Sequence, residues 1–227
     1  MTHRTGTDDA YRTAALLDFV TKRVSREDDV LRDIRVGAPK RGLPPISIGP
    51  DEGRILHFLV STCRAEKIVE VGTLAGYSAC WMARALPKQG RLHTIECDPK
   101  HAAVAHSNVA RAGLSEVVTV HTGTGKEILP QLSPRGPFDL CFIDADKISY
   151  RDYVRWAADN VRSGGLVICD NAYLFGRLHR EDLEPAHEEA VQAAAMRGAL
   201  ALLCDESLFS SCAMIPTSEG LAVAVRR

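Results

Sequence analysis

The sequence has no long apolar run, no surplus of charge of either sign and no closely spaced pair of cysteines. No stretch of about 18 apolar residues occurs, so we expect no transmembrane helix. The polar residues 1–9 lack the apolar core of a secretory signal, and we therefore expect a cytoplasmic protein. The 28 basic and 29 acidic side chains give a net charge of -1, which does not favour binding to nucleic acid.

The seven cysteines are scattered, and none belongs to a Cys-x-x-Cys pair. Each lies in or beside an apolar run, as buried cysteines in a reducing compartment do. This pattern favours neither a zinc site nor a disulfide framework. With 45% apolar and 25% charged residues among 227, the chain has a composition typical of a single globular α/β domain. Its net charge of -1 favours a small, roughly neutral binding partner.

The N-terminal part differs in pattern from the rest. Apolar residues recur at spacings of three and four within residues 14–24, which predicts a helix, and a second short helix is expected at residues 28–36. Residues 37–50 contain four prolines and three glycines, a composition typical of irregular chain. We expect residues 1–45 to form a helical appendage and a proline-rich lid over the substrate, and residues 46–227 to form the main domain. The alternative is that the first helix packs on a neighbouring subunit.

From residue 66 onward, short apolar runs alternate with helical patterns. Strands are expected at residues 68–71, 91–95, 117–120, 138–143 and 165–169. Helices are expected at residues 78–86, 100–112, 124–132, 150–161 and 183–196. Strands separated by helices predict a parallel sheet covered on both faces. Two further runs, at residues 208–215 and 220–225, predict a terminal antiparallel hairpin.

The first strand leads into a glycine loop at residues 70–78. Gly72 and Gly76 would let the backbone approach a ligand at the start of the next helix. A dinucleotide-binding loop would need a second glycine where this chain has Leu74. Glu70 would repel phosphates, but it suits the cationic amino-acid end of S-adenosylmethionine (SAM). The alternative is a tight turn without a ligand.

The second strand ends at Glu96, about twenty residues after the glycine loop, where a carboxylate can accept hydrogen bonds from both ribose hydroxyls of an adenosine. This position reinforces the interpretation of the loop as part of a SAM site. The alternative is that Glu96 caps the helix that begins near Pro99.

The strongest group of candidate site residues follows the fourth and fifth strands. Asp144 comes after the fourth strand, and Asp170 and Asn171 come after the fifth. Because parallel strands bring their carboxyl ends to one edge, these side chains are expected in one crevice. Their oxygens suit Mg²⁺, or another divalent cation such as Mn²⁺, better than a softer metal. Asp146 and Lys147 lie within one turn of Asp144. The alternative to a function for these two residues in the site is that they only form a structural ion pair.

Together these motifs resemble those of the cation-dependent O-methyltransferases, which include animal catechol O-methyltransferase, plant caffeoyl-CoA O-methyltransferase and small bacterial relatives. The resemblance runs from about residue 46 to the C-terminus. It rests on residues 70–78, 94–96, 123–132, 142–147 with Tyr150, and 170–171. The Asp-Ala-Asp-Lys run followed by Asp-Asn is specific to that family among methyltransferases, whereas the glycine loop is widely shared.

The resemblance implies a Rossmann-like class I methyltransferase fold for residues 46–227, an α/β fold whose seven-stranded, mostly parallel sheet has an antiparallel last strand and helices on both faces. It implies SAM and Mg²⁺ as cofactors, and a homodimer. The implied metal ligands are Asp144, Asp170 and Asn171, and the implied catalytic residues are Lys147, as general base, and Asp144. The implied cofactor contacts are Ile48, Glu70, Gly72, Leu74, Gly76, Ser78, Glu96, Gly125, Asp144 and Asp146.

The chemistry of methyl transfer is consistent with these roles. Transfer from a sulfonium needs a deprotonated oxygen aligned with the methyl carbon. A divalent cation would lower the pKa of a catechol hydroxyl, and a nearby lysine can take the proton. Alignment of the two reactants contributes about 7–11 kcal/mol.

Two departures from the family bear on the acceptor. Phe175 stands where plant caffeoyl-CoA enzymes carry a substrate-binding asparagine, and Pro216 replaces a glutamate of the animal catechol enzymes. Both changes argue against those particular substrates. We expect Lys147 and Phe175 to contact a catechol-like small molecule, in bacterial secondary metabolism.

Two other functions remain open at this point. Some bacterial relatives methylate 5-hydroxyuridine in transfer RNA, which would require a basic surface. The candidates for it are Lys22, Arg23, Arg32, Arg35, Lys40 and Arg41, but acidic residues interleave with them. The second is a non-catalytic adenosine-binding subunit, against which the complete set of Asp144, Lys147, Asp170 and Asn171 argues.

Overall fold

The structure, a computed structural model, describes residues 13–181 and 187–227. Its helices are α1 (Ala14–Val24), α2 (Asp29–Gly37), α3 (Pro50–Thr62), α4 (Tyr77–Ala83), α5 (Pro99–Arg111), α6 (Gly125–Leu132), α7 (Tyr150–Asn160) and α8 (Glu188–Leu203). Its strands are β1 (Lys67–Val71), β2 (Arg91–Glu96), β3 (Val118–Thr122), β4 (Phe138–Ile143), β5 (Val161–Cys169), β6 (Phe209–Ile215) and β7 (Leu221–Arg226). Within these residues, no helix is long and apolar enough to cross a membrane.

The strands form one seven-stranded sheet in the order β3-β2-β1-β4-β5-β7-β6. Strands β1 to β5 are parallel, and β7 runs antiparallel to both β5 and β6. Successive side chains of a strand point to opposite faces, so Ile68 belongs to a core under α2 to α5, whereas Val69 belongs to a second core under α6 to α8. The predicted fold class is confirmed, including the antiparallel last strand and the helices on both faces.

The sequence analysis missed one helix and misplaced another. α3 begins with Gly49-Pro50-Asp51-Glu52, where Pro50 occupies the first turn and Glu52 accepts a hydrogen bond from the Gly49 N–H at 2.9 Å. Residues 183–186, at the start of the predicted last helix, lie outside the described residues. That helix, α8, continues to Leu203 rather than ending at residue 196, because Ala199 and Leu203 are buried against the sheet.

Both predicted N-terminal helices are present, but they differ in burial. α2 contributes Leu31 and Ile34 to the same core as α3 and α4, whereas α1 buries none of its residues. Residues 1–12 of the expected appendage lie outside the described residues. The division at residue 45 and the function of residues 1–45 as a lid stay predictions.

Candidate active site

The carboxyl ends of the parallel strands open into a cavity of about 680 Å³. All the predicted site residues line this cavity except Glu70 and Gly76. The strand order places the loops after β1, β2 and β3 toward one end of the cavity and those after β4 and β5 toward the other. Most of the predicted SAM contacts therefore lie toward one end of the cavity and the predicted cation ligands toward the other. Asp144, which was predicted for both sets, and Asp146 follow β4, between the two.

Gly72 is required by the approach of two backbone segments at the middle of the cavity. Its φ is +100°, and a Cβ atom at this position would lie 1.8 Å from the backbone oxygen of Asp144. The same two segments are also hydrogen-bonded to each other, since the Asp144 N–H donates to the backbone oxygen of Val71 at 2.8 Å. A side chain at position 72 would therefore separate the ends of β1 and β4.

Glu70 lies under the glycine loop and does not line the cavity. It is fully buried, it accepts a hydrogen bond from the Ser78 hydroxyl, and its Oε2 atom has no partner among the described residues. Burial raises the pKa of Glu70 to about 8, although hydrogen bonds from Ser78 and Thr94 oppose the shift. Because Ser78 itself lines the cavity, Glu70 is connected to a ligand there through Ser78.

Gly76 also lies outside the cavity wall. It precedes α4 with a φ of +81°, a left-handed conformation that favours glycine. Its contribution to the loop is therefore the turn from β1 into α4, and the predicted direct contact with the cofactor is not supported by its position.

Glu96 joins the first two loops at the cofactor end. Its Oε2 atom accepts a hydrogen bond from the Leu74 N–H at 2.7 Å, and its Oε1 atom accepts one from the Asp98 N–H at 2.9 Å. The alternative that Glu96 caps α5 is wrong, because Asp98 is the capping residue and accepts from the Lys100 N–H at 2.7 Å. The Glu96 carboxylate lines the cavity, where its remaining lone pairs can accept further hydrogen bonds.

Asp170 is the most buried of the predicted cation ligands. Its side chain is 2% exposed, and its Oδ1 atom has no hydrogen-bond partner in the described part of the chain. Burial raises the pKa of Asp170, and the neighbouring carboxylates of Asp144 and Glu52 raise it further. A buried carboxylate oxygen without a donor needs either a proton or a cation beside it.

The donor set at this end of the cavity fits a hard divalent cation. Asp144 and Asn171 also line the cavity there, and Asn171 is held with a φ of +51° directly after Asp170. Within the described ranges, no three His, Cys, Asp or Glu side chains gather closely enough to hold a metal ion. Two carboxylates and one amide would leave positions for water or substrate oxygens, as Mg²⁺ prefers.

Lys147 is fixed by a chain of polar contacts. Its Nζ atom lies 3.4 Å from Asp144 Oδ1 and donates to the Tyr150 hydroxyl at 2.6 Å. The Tyr150 hydroxyl in turn donates to the backbone oxygen of Asp170 at 3.2 Å. The ion pair that the sequence left open exists between Lys147 and Asp144, whereas Asp146 accepts hydrogen bonds from the Ser149 N–H and the Tyr153 hydroxyl.

Several residues of the cavity wall were not found from the sequence, among them Glu52, Tyr153 and His101. Glu52 lies in the helix that the sequence analysis missed, and the Pro50 and Glu52 start signal of that helix could have revealed it. Tyr153 reaches the cavity from the second turn of α7. His101 lies in the first turn of α5, with its Nδ1 atom 3.8 Å from Glu96 Oε1. No motif distinguishes these last two residues from other aromatic residues on helices.

Phe175 lies at the rim of the cavity with 53% of its surface exposed. It also borders a second cavity of about 660 Å³, which Tyr173 and Leu178 line. The predicted substrate residue is therefore accessible from the solvent as well as from the main cavity.

Comparison with known proteins identifies the family. A family model described as O-methyltransferase matches residues 21–227. The chain belongs to the O-methyltransferase family. The predicted family and enzyme class are confirmed: the protein is a SAM-dependent O-methyltransferase.

Among the relatives in this family is a catechol O-methyltransferase of Niastella koreensis, 47% identical over 184 residues that make up 80% of this chain and 83% of the relative. A solved O-methyltransferase from Bacillus cereus, in complex with SAH, has a TM-score of 0.85 at 32% identity and covers 94% of this chain and 97% of its own. The O-methyltransferase TomG from Streptomyces achromogenes, involved in tomaymycin synthesis and solved with SAM, has a TM-score of 0.86 at 31% identity. The match covers 96% of this chain and 99% of the TomG chain.

Proposed function

We propose that this enzyme transfers the methyl group of SAM to one hydroxyl of a catechol-like small molecule and that it requires a divalent cation, Mg²⁺ or Mn²⁺. The observation that carries the proposal is the Asp170 Oδ1 atom, which is buried without a hydrogen-bond donor beside Asp144 and Lys147. The Niastella relative, which is named for catechol, supports this class of acceptor.

Asp144, Asp170 and Asn171 would hold the cation. When bound, it would supply a positive charge that lowers the pKa of an acceptor hydroxyl. In its neutral form, the Lys147 amine then takes the proton of this hydroxyl and becomes an ammonium group, and the Tyr150 hydroxyl keeps the amine on the side of the cavity where the acceptor binds. Asp144 contributes to catalysis by orienting the same amine, since its Oδ1 atom lies 3.4 Å from Lys147 Nζ.

The opposite end of the cavity would bind SAM. Glu96 accepts hydrogen bonds from the ribose hydroxyls with the lone pairs that Leu74 and Asp98 leave available. Glu70 lies behind Ser78, and it would ionise when the cationic amino-acid end of SAM binds, so that its negative charge would then act through the Ser78 hydroxyl. The remaining proposed contacts line the cavity and can act through backbone or side-chain atoms: Ile48, Gly72, Leu74, Gly125, Asp144 and Asp146.

A transfer-RNA acceptor is less well supported by the surface of α1 and α2. Arg35 is paired with Glu27 at 2.6 Å, Arg41 with Asp33 at 2.7 Å, and Arg32 with Asp29 at 3.0 Å. Paired guanidinium groups attract phosphates less than unpaired ones do, and each pair would have to open to contact RNA. A small acceptor in secondary metabolism, for which the Streptomyces relative is a precedent, fits this surface better.

We propose a homodimer in which a second copy of the chain covers the exposed apolar face of α1. This face consists of Leu16, Leu17, Phe19, Val20 and Val24. Five large apolar side chains on one surface helix form a patch of the kind that marks protein interfaces. Sedimentation of the purified protein as a monomer at micromolar concentration would contradict this part of the proposal.

The acceptor class is tested by methyl transfer from labelled SAM to three acceptors in the presence of Mg²⁺. A catechol should be methylated, whereas phenol, which lacks the adjacent hydroxyl, and a transfer RNA carrying 5-hydroxyuridine should not. Equal rates for phenol and catechol would contradict the proposal that the acceptor is catechol-like. Methylation of the RNA alone would replace the small-molecule acceptor by the RNA.

A further inference from the structure

We propose that Glu52, in the first turn of α3, is a positioning residue of the cation site that accepts hydrogen bonds from the water shell of the bound cation. The inference rests on the proposed function, because it assumes that a cation binds beside Asp144 and Asp170. It adds a carboxylate that comes from outside the parallel strand ends and from a helix that the sequence motifs do not include.

The Glu52 side chain is held by one carboxylate oxygen and leaves the other one unused. Its Oε2 atom accepts the Gly49 N–H at 2.9 Å, and the Thr217 hydroxyl also bonds to the carboxylate. The residue is 3% exposed, yet its Oε1 atom has no hydrogen-bond partner among the described residues. Capping of α3 explains the first oxygen but not the burial of the second, which loses its contact with water and gains no donor among the described residues.

Glu52, which carries the unused oxygen, lies in the wall of the same cavity as the predicted cation ligands. Glu52 lines the cavity together with Asp144 and Asp170. Glu52 and Asp170 are both almost fully buried, at 3% and 2% exposed. Glu52 and Asp170 each carry a buried oxygen that has no hydrogen-bond donor within residues 13–181 and 187–227. A hydrated divalent cation would supply both donors and positive charge at this position.

In this proposal Asp144, Asp170 and Asn171 supply the direct ligands, and Glu52 lies beyond them. No three carboxylate, thiol or imidazole side chains within residues 13–181 and 187–227 are close enough to hold one metal ion. Glu52 would therefore act through water, as groups beyond the direct ligands do at many metal sites. Loss of such a group commonly weakens metal binding about 10–100-fold.

The test compares the affinity for Mn²⁺ of the wild type and of Glu52→Gln by calorimetry, with no SAM or acceptor present. Glutamine keeps an oxygen for the Gly49 N–H but replaces the other oxygen by an NH₂ group, so it removes both the charge and the acceptor proposed to face the water shell. We expect the variant to bind Mn²⁺ at least about tenfold more weakly. The control is Asp51→Asn, which removes a neighbouring charge of the same helix turn outside the cavity and should change the affinity less than twofold.

Thermal unfolding distinguishes this function from helix capping. Without metal, Glu52→Gln should unfold at the same temperature as the wild type or higher, because a buried charge beside two other acids is gone. Saturating Mn²⁺ should then raise the melting temperature less than it does for the wild type. A melting temperature that falls equally with and without Mn²⁺, together with unchanged affinity, would assign Glu52 to capping alone and overturn the inference.

Two further outcomes separate this inference from the proposed function. A wild type that binds no divalent cation would overturn the cation requirement and this inference together, whereas normal Mn²⁺ binding by Glu52→Gln would overturn this inference alone. Glu52→Asp keeps the charge but withdraws it by one methylene, and it should bind Mn²⁺ with intermediate affinity. This second variant gives a result even where Glu52→Gln is unstable.

Discussion

At the scale of single residues, Tyr150 connects the proposed base to the backbone of a proposed cation ligand. Its hydroxyl accepts from Lys147 and donates to the Asp170 carbonyl. Tyr150→Phe keeps the buried ring but removes both hydrogen bonds, so the lysine amine loses its orientation. We expect kcat to fall about 10–100-fold, part of what a general base contributes, with little change in KM for SAM.

The matched control for this substitution is Tyr153→Phe on the same helix. The Tyr153 hydroxyl donates to Asp146 at 2.9 Å, beside the predicted SAM contacts. Its loss should raise KM for SAM more than it lowers kcat. If both variants lowered kcat equally, Tyr150 would have no special relation to Lys147.

Glu70 makes the ligand-free protein sensitive to pH. Burial raises its pKa from 4.5 to about 8, so the folded protein binds this proton more tightly than the unfolded chain does. The contribution of this group to stability is therefore complete below about pH 4.5 and is lost as the pH rises toward 8. Glu70→Gln should unfold at a temperature that falls less between pH 5 and pH 8 than that of the wild type, measured by thermal unfolding at about these values.

The control for the pH dependence is Glu116→Gln, which changes an exposed glutamate. This variant should keep the slope of the wild type. A Glu70→Gln slope that also equals the wild-type slope would mean that Glu70 is ionised in the folded protein, and the interpretation of its burial would be wrong.

At the scale of elements, the site depends on how closely the ends of β1 and β4 approach at Gly72. Gly72→Ala combines a left-handed backbone with a Cβ atom 1.8 Å from the Asp144 oxygen. Gly113→Ala has a similar φ of +70° but no atom within 4 Å of its new Cβ. We expect Gly113→Ala to cost about 1–2 kcal/mol of unfolding free energy and Gly72→Ala about 3 kcal/mol or more, measured by urea denaturation. Equal losses would show that the backbone conformation alone, and not the contact with Asp144, requires glycine.

The strands could be predicted from the sequence because buried parallel strands need continuous apolar runs. The run at residues 138–143 gives β4 (Phe138–Ile143) at the same bounds. Asp144 and Asp170 directly follow β4 and β5, so once the strands were predicted, both residues could be placed at the carboxyl edge of the sheet. Composition alone did not separate α3 from the preceding proline-rich run, although Pro50 and Glu52 form a helix start signal, and Glu52 was missed with the helix.

The remaining differences concern depth and orientation, which a sequence pattern does not report. Glu70 and Ser78 were both predicted to contact the cofactor, but a hydrogen bond between them places Ser78 at the cavity wall and Glu70 behind it. The orientation of Lys147 toward Tyr150 depends on α7 packing against β5, and Asp146 turns away toward Tyr153. Such details follow from tertiary packing, because neighbours in sequence can face different partners.

At the scale of the whole molecule, the cavity separates the proposed SAM end from the proposed cation end. The strand order places Glu96, after β2, two strands away from Asp144, after β4, and three from Asp170, after β5. Asp170→Asn removes a charge from one end only, so it should abolish methyl transfer while SAM binds within about threefold of its wild-type affinity, measured by calorimetry. A collapse of SAM affinity with unchanged metal binding would mean that the two ends have been assigned the wrong way round.

The most direct test of the cation requirement is methyl transfer from SAM to a catechol in the presence of excess EDTA, followed by addition of Mg²⁺. Asp144, Asp170 and Asn171 offer only oxygen ligands, so a chelator should strip the site and Mg²⁺ should refill it. We predict that turnover disappears with EDTA and returns with Mg²⁺, while SAM binding persists throughout. Undiminished turnover in excess EDTA would contradict the proposed mechanism.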